Sequence, residues 1–91
     1  MVRPRLCRRI GSNPKVTFYK PQGVPLKNLE IVELTLEEWE ALRLKNVKGL
    51  DQKQAALQMK TSQSTFQRIY ADAQKKLSKA IVFGKAIKII R

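Results

Sequence analysis

The sequence predicts a mainly α fold: a helix-turn-helix core of three helices, with short extended segments near the N- and C-termini. Three observations carry that reading. Thr35, Asp51 and Ser62 are cap-type residues, and each precedes apolar residues at helical spacing. Strand-like patterning is confined to "KVTFYK", "LEIVEL" and "KAIKII", which lie outside that run. Small Ala56, a break near Lys60, and large Phe66 and Ile69 follow one another as two helices packed across a tight turn require.

The elements follow in order. "MVRPRLCRRIGSNP" holds Pro4, Gly11, Ser12, Asn13 and Pro14 without apolar periodicity, and reads as an irregular arm. "KVTFYK" alternates and predicts a short extended segment; "KPQGVP" turns after it. "LEIVEL" is a second extended segment, rich in β-branched and apolar residues. "TLEE" is a capping box, with Thr35 as cap and Glu38 reaching back, and the stripe Leu36, Trp39 and Leu42, joined by Ala41 and Leu44, forms the first helix. "NVKG" ends it, with Gly49 as the stop. Asp51 caps the second helix, whose apolar face is Ala55, Ala56 and Met59. Ser62 or Thr61 caps the third, with apolar positions at Phe66, Ile69, Tyr70, Ala73, Leu77, Ala80 and Ile81; Gly84 ends it. The organisation expected is a basic arm and extended segment over 1–29, a helix-turn-helix unit over 30–83, and a C-terminal strand or tail over 84–91. The apolar "IVFGKAIKII" predicts a homodimer contact; pairing of its strand with "EIVEL" in the same chain satisfies the pattern equally well.

Charge narrows the function. The 91 residues carry a net charge of +12. Residues 1–29 and 73–91 contain Lys and Arg but no acid, whereas all the acids lie in 30–72. Two cationic ends around a near-neutral centre favour a polyanionic partner. There is no histidine and one cysteine, Cys7. An internal disulfide is therefore impossible, and no metal, cofactor or catalytic constellation is expected. No apolar run approaches the ~20 residues of a membrane span, and the basic start lacks the apolar region of a secretory signal. A cytoplasmic protein that is not an enzyme is the expectation.

The polar start of the third helix, "TSQSTFQRIY", is where base reading is expected. Gln63, Ser64, Thr65, Gln67 and Arg68 fall on the outer face there. Glutamine can pair with adenine, arginine with guanine, and serine or threonine with base edges or phosphate. Backbone contacts are expected from Arg3, Arg5, Arg8 and Arg9 of the arm, from Lys53, Lys60, Thr61 and Ser62 around the turn, and from Lys75 and Lys76 further along. A plain helical hairpin accounts for the spacing alone; the charge and the uncharged polar face favour DNA. Lys60 departs from the glycine common in such turns, and lysine is strained there if φ is positive. Glu37, Glu38 and Glu40 are expected to serve capping and solubility, and Trp39 the core.

The strings "RPR", "KPQGVPLKNLE", "VELTLEEWEALRLK", "GLDQKQAALQMKTSQSTFQRIYADAQKKL" and "GKAIKI", in this order, resemble a prokaryotic family of predicted DNA-binding proteins, domain of unknown function one-three-four. The resemblance covers nearly the whole chain and implies a DNA-binding role without naming an operator or effector. The central segment is also similar to the last DNA-binding region of bacterial sigma factors. Where the family commonly reads "GLSQEEAA" this chain has "GLDQKQAA", which keeps the cap and loses an acid. The expectation is thus a sequence-specific binder of double-stranded DNA and a transcriptional regulator. The alternatives are an RNA-binding protein and an interaction module docking on the transcription machinery. RNA reading relies on exposed aromatics, and the aromatics here are expected mostly on core stripes.

Overall fold

A computed structural model describes residues 11–91. The elements are β1 (Phe18–Tyr19), β2 (Ile31–Thr35), α1 (Leu36–Leu42), α2 (Gln52–Gln58), α3 (Gln63–Phe83) and β3 (Ala86–Ile90). A 3₁₀ turn over Leu26–Asn28 precedes β2, and a π-helical turn over Arg43–Val47 continues α1. The architecture is therefore three helices with a small three-stranded sheet, helix-rich but mixed α/β.

The extended segments form one sheet in the order β1-β3-β2. The central β3 runs antiparallel to β1 and parallel to β2, pairing Ile31 with Ala86 and Thr35 with Ile90. A parallel pair needs a long crossover, and here all three helices supply it. Lys85 Nζ meets Glu30 Oε1 at 2.7 Å beside the first rung, and holds that carboxyl below its usual range through a hydrogen bond and its charge. Of the two pairings open to the C-terminal segment, the one within the chain is adopted.

Every expected cap is present. Thr35 ends β2 and starts α1: its Oγ1 accepts from Glu38 N–H at 3.1 Å while Glu38 Oε1 accepts from Thr35 N–H at 2.9 Å. Asp51 and Gln54 make the same reciprocal box on α2, and Ser62 Oγ caps α3 through Thr65 N–H. Gly49 and Gly84 both adopt positive φ, at 74° and 69°, where the first and third helices stop.

Two core clusters form, and α3 serves both. Ala41, Leu44, Ala55, Ala56, Met59 and Phe66 make the first; Leu34, Ala73 and Ile89 make the second, with Leu36, Trp39, Leu42 and Ile87 packed against it. The alanines bring helix backbones close together, so the few large side chains fill what remains. Leu42 and Leu44 thus face different clusters. Two expectations fail. Ile81 is not a core residue but 72% exposed: Ala80 beside it is 2% exposed, so this turn of α3 still buries one face and Ile81 lies off it. Glu40 does not serve solubility: it is 1% exposed, takes Arg43 Nε and Nη2 at 2.8 and 2.7 Å, and accepts Gly11 N–H at 3.0 Å. The pairing lets a carboxylate be buried without an unsatisfied oxygen, and the Glu40 hydrogen bond raises the Arg43 pKa against the opposing effect of partial burial.

Phe66 is fully buried in the first cluster and stacks on Tyr70, centroids 5.9 Å apart. Phe66→Ala is expected to lower stability by ~3–5 kcal/mol, read as a reduced urea midpoint.

Candidate nucleic-acid interface

The site is built outward from the turn between α2 and α3. Lys60 N–H donates to Leu57 O at 3.1 Å and Thr61 N–H to Ala56 O at 3.0 Å. That pair of bonds is a Schellman motif, which requires a left-handed residue at its apex. The residue is Lys60, with φ of 55°, the only positive-φ residue other than glycine among the described residues. The turn keeps the glycine geometry with a lysine in it, and its ammonium stands on the exposed apex.

Past the turn, Ser62 organises the start of α3. Its hydroxyl donates to Thr65 Oγ1 at 2.9 Å, accepts from Thr65 N–H, and lies 3.3 Å from Ser64 Oγ. Gln52 Nε2 reaches Gln63 O at 3.4 Å, so the starts of α2 and α3 are tied together. Beside this tie runs a groove of about 240 Å³, walled by Lys53, Leu57, Thr61 and Gln63.

Four of the five expected base-reading residues stand in solvent: Gln63, Ser64, Gln67 and Arg68. Their spacing places Gln63 above Gln67 and Ser64 above Arg68, one turn apart, in a compact patch. Thr65 is half-buried and bonded to the cap, so its place is beside the patch. Phe66 is buried, and half-buried Ile69 and Tyr70 pack against the first core cluster on the opposite side. Tyr70 Oη donates to Asn46 Oδ1 at 2.7 Å and accepts from Gln74 Nε2 at 3.0 Å, while Lys45 Nζ lies 5.7 Å from its ring centroid. The patch therefore rests on a helix whose rotation is held from beneath.

Of the expected backbone contacts, Lys53, Lys60 and Lys75 are exposed and Thr61 is half-buried. Lys76 is half-buried, with its Nζ 2.9 Å from Glu38 Oε1. Arg3, Arg5, Arg8 and Arg9, with Cys7, lie outside the described residues. Sequence reasoning missed Gln52 at the start of α2 and exposed Leu57 beside the turn; Leu57 falls off the apolar stripe of α2, and nothing in its spacing marks it. It also placed too many aromatics in the core, since Phe18, Tyr19 and Phe83 are exposed. Among the described residues no cluster of three or more His, Cys, Asp or Glu gathers to hold a metal ion, and no helix is long and apolar enough to cross a membrane.

A family model described as "Protein of unknown function DUF134" matches residues 1–91. A UPF0251 protein of Dehalococcoides mccartyi strain BAV1 is 54% identical over 89 residues, covering 98% of this chain and 76% of the relative. UPF0251 proteins of Thermoanaerobacter pseudethanolicus and Desulforudis audaxviator are each 49% identical over 89 residues, which is 75% of the first and 58% of the second. No solved structure matches the chain.

Backbone strain at the turn is measurable. A left-handed L-residue costs roughly 1–2 kcal/mol, partly offset by glycine's larger unfolded-state entropy. Lys60→Gly is therefore expected to raise stability by about 0.5–1 kcal/mol, and Lys60→Val to lower it, in chemical denaturation.

Proposed function

Because this chain belongs to the DUF134 family, whose description assigns no activity, its own surface must suggest its role, and we propose a sequence-specific binder of double-stranded DNA that acts as a transcriptional regulator. The observation that carries this reading is the patch of Gln63, Ser64, Gln67 and Arg68 on the first two turns of α3. It consists of three uncharged hydrogen-bonding side chains and one arginine, on a helix whose other face is anchored by Phe66. In this reading α2, the Lys60 turn and α3 are a helix-turn-helix of the kind found in the last DNA-binding region of sigma factors. The start of α3 enters the major groove. Gln63 and Gln67 select adenines and Arg68 a guanine, while Ser64 makes a base-edge or phosphate contact. Thr65 holds the Ser62 cap rather than a base.

Affinity comes from phosphate contacts, which release counterions. Lys53, Lys60 and Lys75 supply them, Thr61 and Ser62 flank them, and Arg3, Arg5, Arg8 and Arg9 extend them into a neighbouring minor groove. Lys76 holds Glu38 and contributes less. Catalysis forms no part of this role, which places the protein with the chromosome in the cytoplasm. The exposed aromatics do not favour RNA instead. Phe18 and Tyr19 are consecutive on β1, so they face opposite sides of the sheet and make no shared stacking platform.

Selection from a random DNA pool, followed by binding to the selected site and to random duplex, tests the reading. Gln63→Ala and Gln67→Ala are each expected to reduce the preference by ~1–3 kcal/mol, the worth of one bidentate pair with a base. Lys75→Ala is expected to weaken both duplexes alike. Removal of residues 1–10 is expected to flatten the slope of log affinity against log salt by ~0.9 for each phosphate the arm neutralises. An undiminished preference in the triple variant Gln63→Ala, Gln67→Ala, Arg68→Ala would defeat base reading by α3. Equal binding of single-stranded RNA would defeat the choice of partner.

A further inference from the structure

Away from the α2–α3 turn lies an open apolar cleft of about 470 Å³. Its walls include Leu34, Trp39, Leu42, Leu77, Ile87 and Ile89, so the second core cluster is open to solvent on one side. Tyr19, 52% exposed, and Val47, 80% exposed, stand at its rim. Ile81 is 72% exposed and lies one helical turn beyond Leu77 on the same side of α3, so it extends the apolar surface past the cleft.

The charge pattern of α3 indicates what covers this surface. Tyr70, Gln74, Leu77, Ser78 and Ile81 occupy adjoining positions on the cleft side, and none is ionisable near neutral pH. Lys75, Lys76 and Lys79 lie on the other sides of the helix. The two polar residues that line the cleft are already engaged, Arg43 with Glu40 and Asn46 with Tyr70. Among the described residues that line the cleft the one cation is Arg43, held by Glu40, which leaves a nucleic acid or an acidic peptide little to bind. For a chain of net charge +12, two copies meet with least repulsion across an uncharged face. Here that face is also apolar and carries both a cleft and a projecting side chain. Such self-complementarity is what a two-fold contact requires.

We propose that a second copy of this chain docks on the cleft. The contact is a symmetric homodimer in which Ile81 of each copy packs between Val47 and Tyr19 of the other. Strand exchange is not part of it, because β3 is already paired on both edges. A stable pair covers on the order of 800 Å² per partner, which needs the cleft walls, the Ile81 turn and both rim residues together. The inference is independent of DNA reading and is tested without DNA.

Sedimentation of the full chain across roughly 1–100 μM, a range that brackets modest affinities, should show a monomer–dimer equilibrium. Trp39 is the only tryptophan and lines the cleft, so its emission should move to shorter wavelength as dimer forms. Ile81→Glu alters a solvent-exposed position and should leave helicity unchanged while raising the dimer dissociation constant on the order of 100-fold, as expected when a charge enters the centre of an interface. Phe83→Glu is the control: it is comparably exposed, at 68%, but two residues on and so close to the opposite side of α3, and should dimerise as the parent does. A monomer throughout the range overturns the proposal, as does equal disruption by the two variants. A monomer whose Trp39 emission responds only to added indole or decanoate also overturns it, assigning the cleft to a small apolar molecule.

Discussion

The packing of α3 through both core clusters is the constraint on which the rest of this structure depends. Phe66 closes the cluster formed with α1 and α2, and Ala73, two turns on, joins the one formed with the sheet. A single rigid helix thus fixes how the short helices sit relative to the strands. The face it turns inward determines the face left for a partner. With Phe66 buried and Ile69 and Tyr70 packed beneath, Gln63, Ser64, Gln67 and Arg68 stand outward.

Small residues make that arrangement possible. Ala41, Ala55, Ala56 and Ala73 are all at most 2% exposed, and larger side chains at these positions would separate the helices. Close approach leaves little room for a generous connection between α2 and α3, and the chain uses a two-bond turn with Lys60 in the left-handed region. Some stability is given up there, and a cation stands at the edge of the surface proposed to meet DNA. The strain sits beside the proposed site rather than in the core, in keeping with where proteins tolerate such conformations.

A second organising contact lies on the opposite side of α1. Glu40, Arg43 and the Gly11 N–H form a partly buried ionic cluster, with Glu40 its buried member. A Cβ on Gly11 would stand 2.9 Å from Arg43 Nη2 and 3.2 Å from Glu40 Oε2, so a larger residue here would require those side-chain ends to shift. The cluster fixes the first described residue against the helical core. Removing one partner would leave the other charge without compensation, which costs more than the pair itself contributes.

Local chemistry was legible in the sequence. The reciprocal box of Thr35 and Glu38 was readable, as was Asp51 as a cap, and the third cap was narrowed to Ser62 or Thr61 by its place before an apolar stripe. Glycine's tolerance of positive φ marked the stops at Gly49 and Gly84. The 3.6-residue period separated Phe66, Ile69 and Tyr70 from Gln63, Ser64, Gln67 and Arg68, but it also placed Thr65 on that outer face, where the Ser62 cap instead holds it half-buried. What only the tertiary structure decided depends on neighbours distant in the chain. Burial of Glu40 depends on Gly11, twenty-nine residues away, and the engagement of Lys76 on Glu38, thirty-eight away. Exposure of Ile81 follows from which face the last turns of α3 bury, with Ala80 taken inside beside it, and its helical stripe cannot report that. The parallel pairing of β2 with β3 was one of two outcomes the same apolar pattern allowed. A strand's sequence specifies which face is apolar but not which edge it meets, and the crossover helices made that choice.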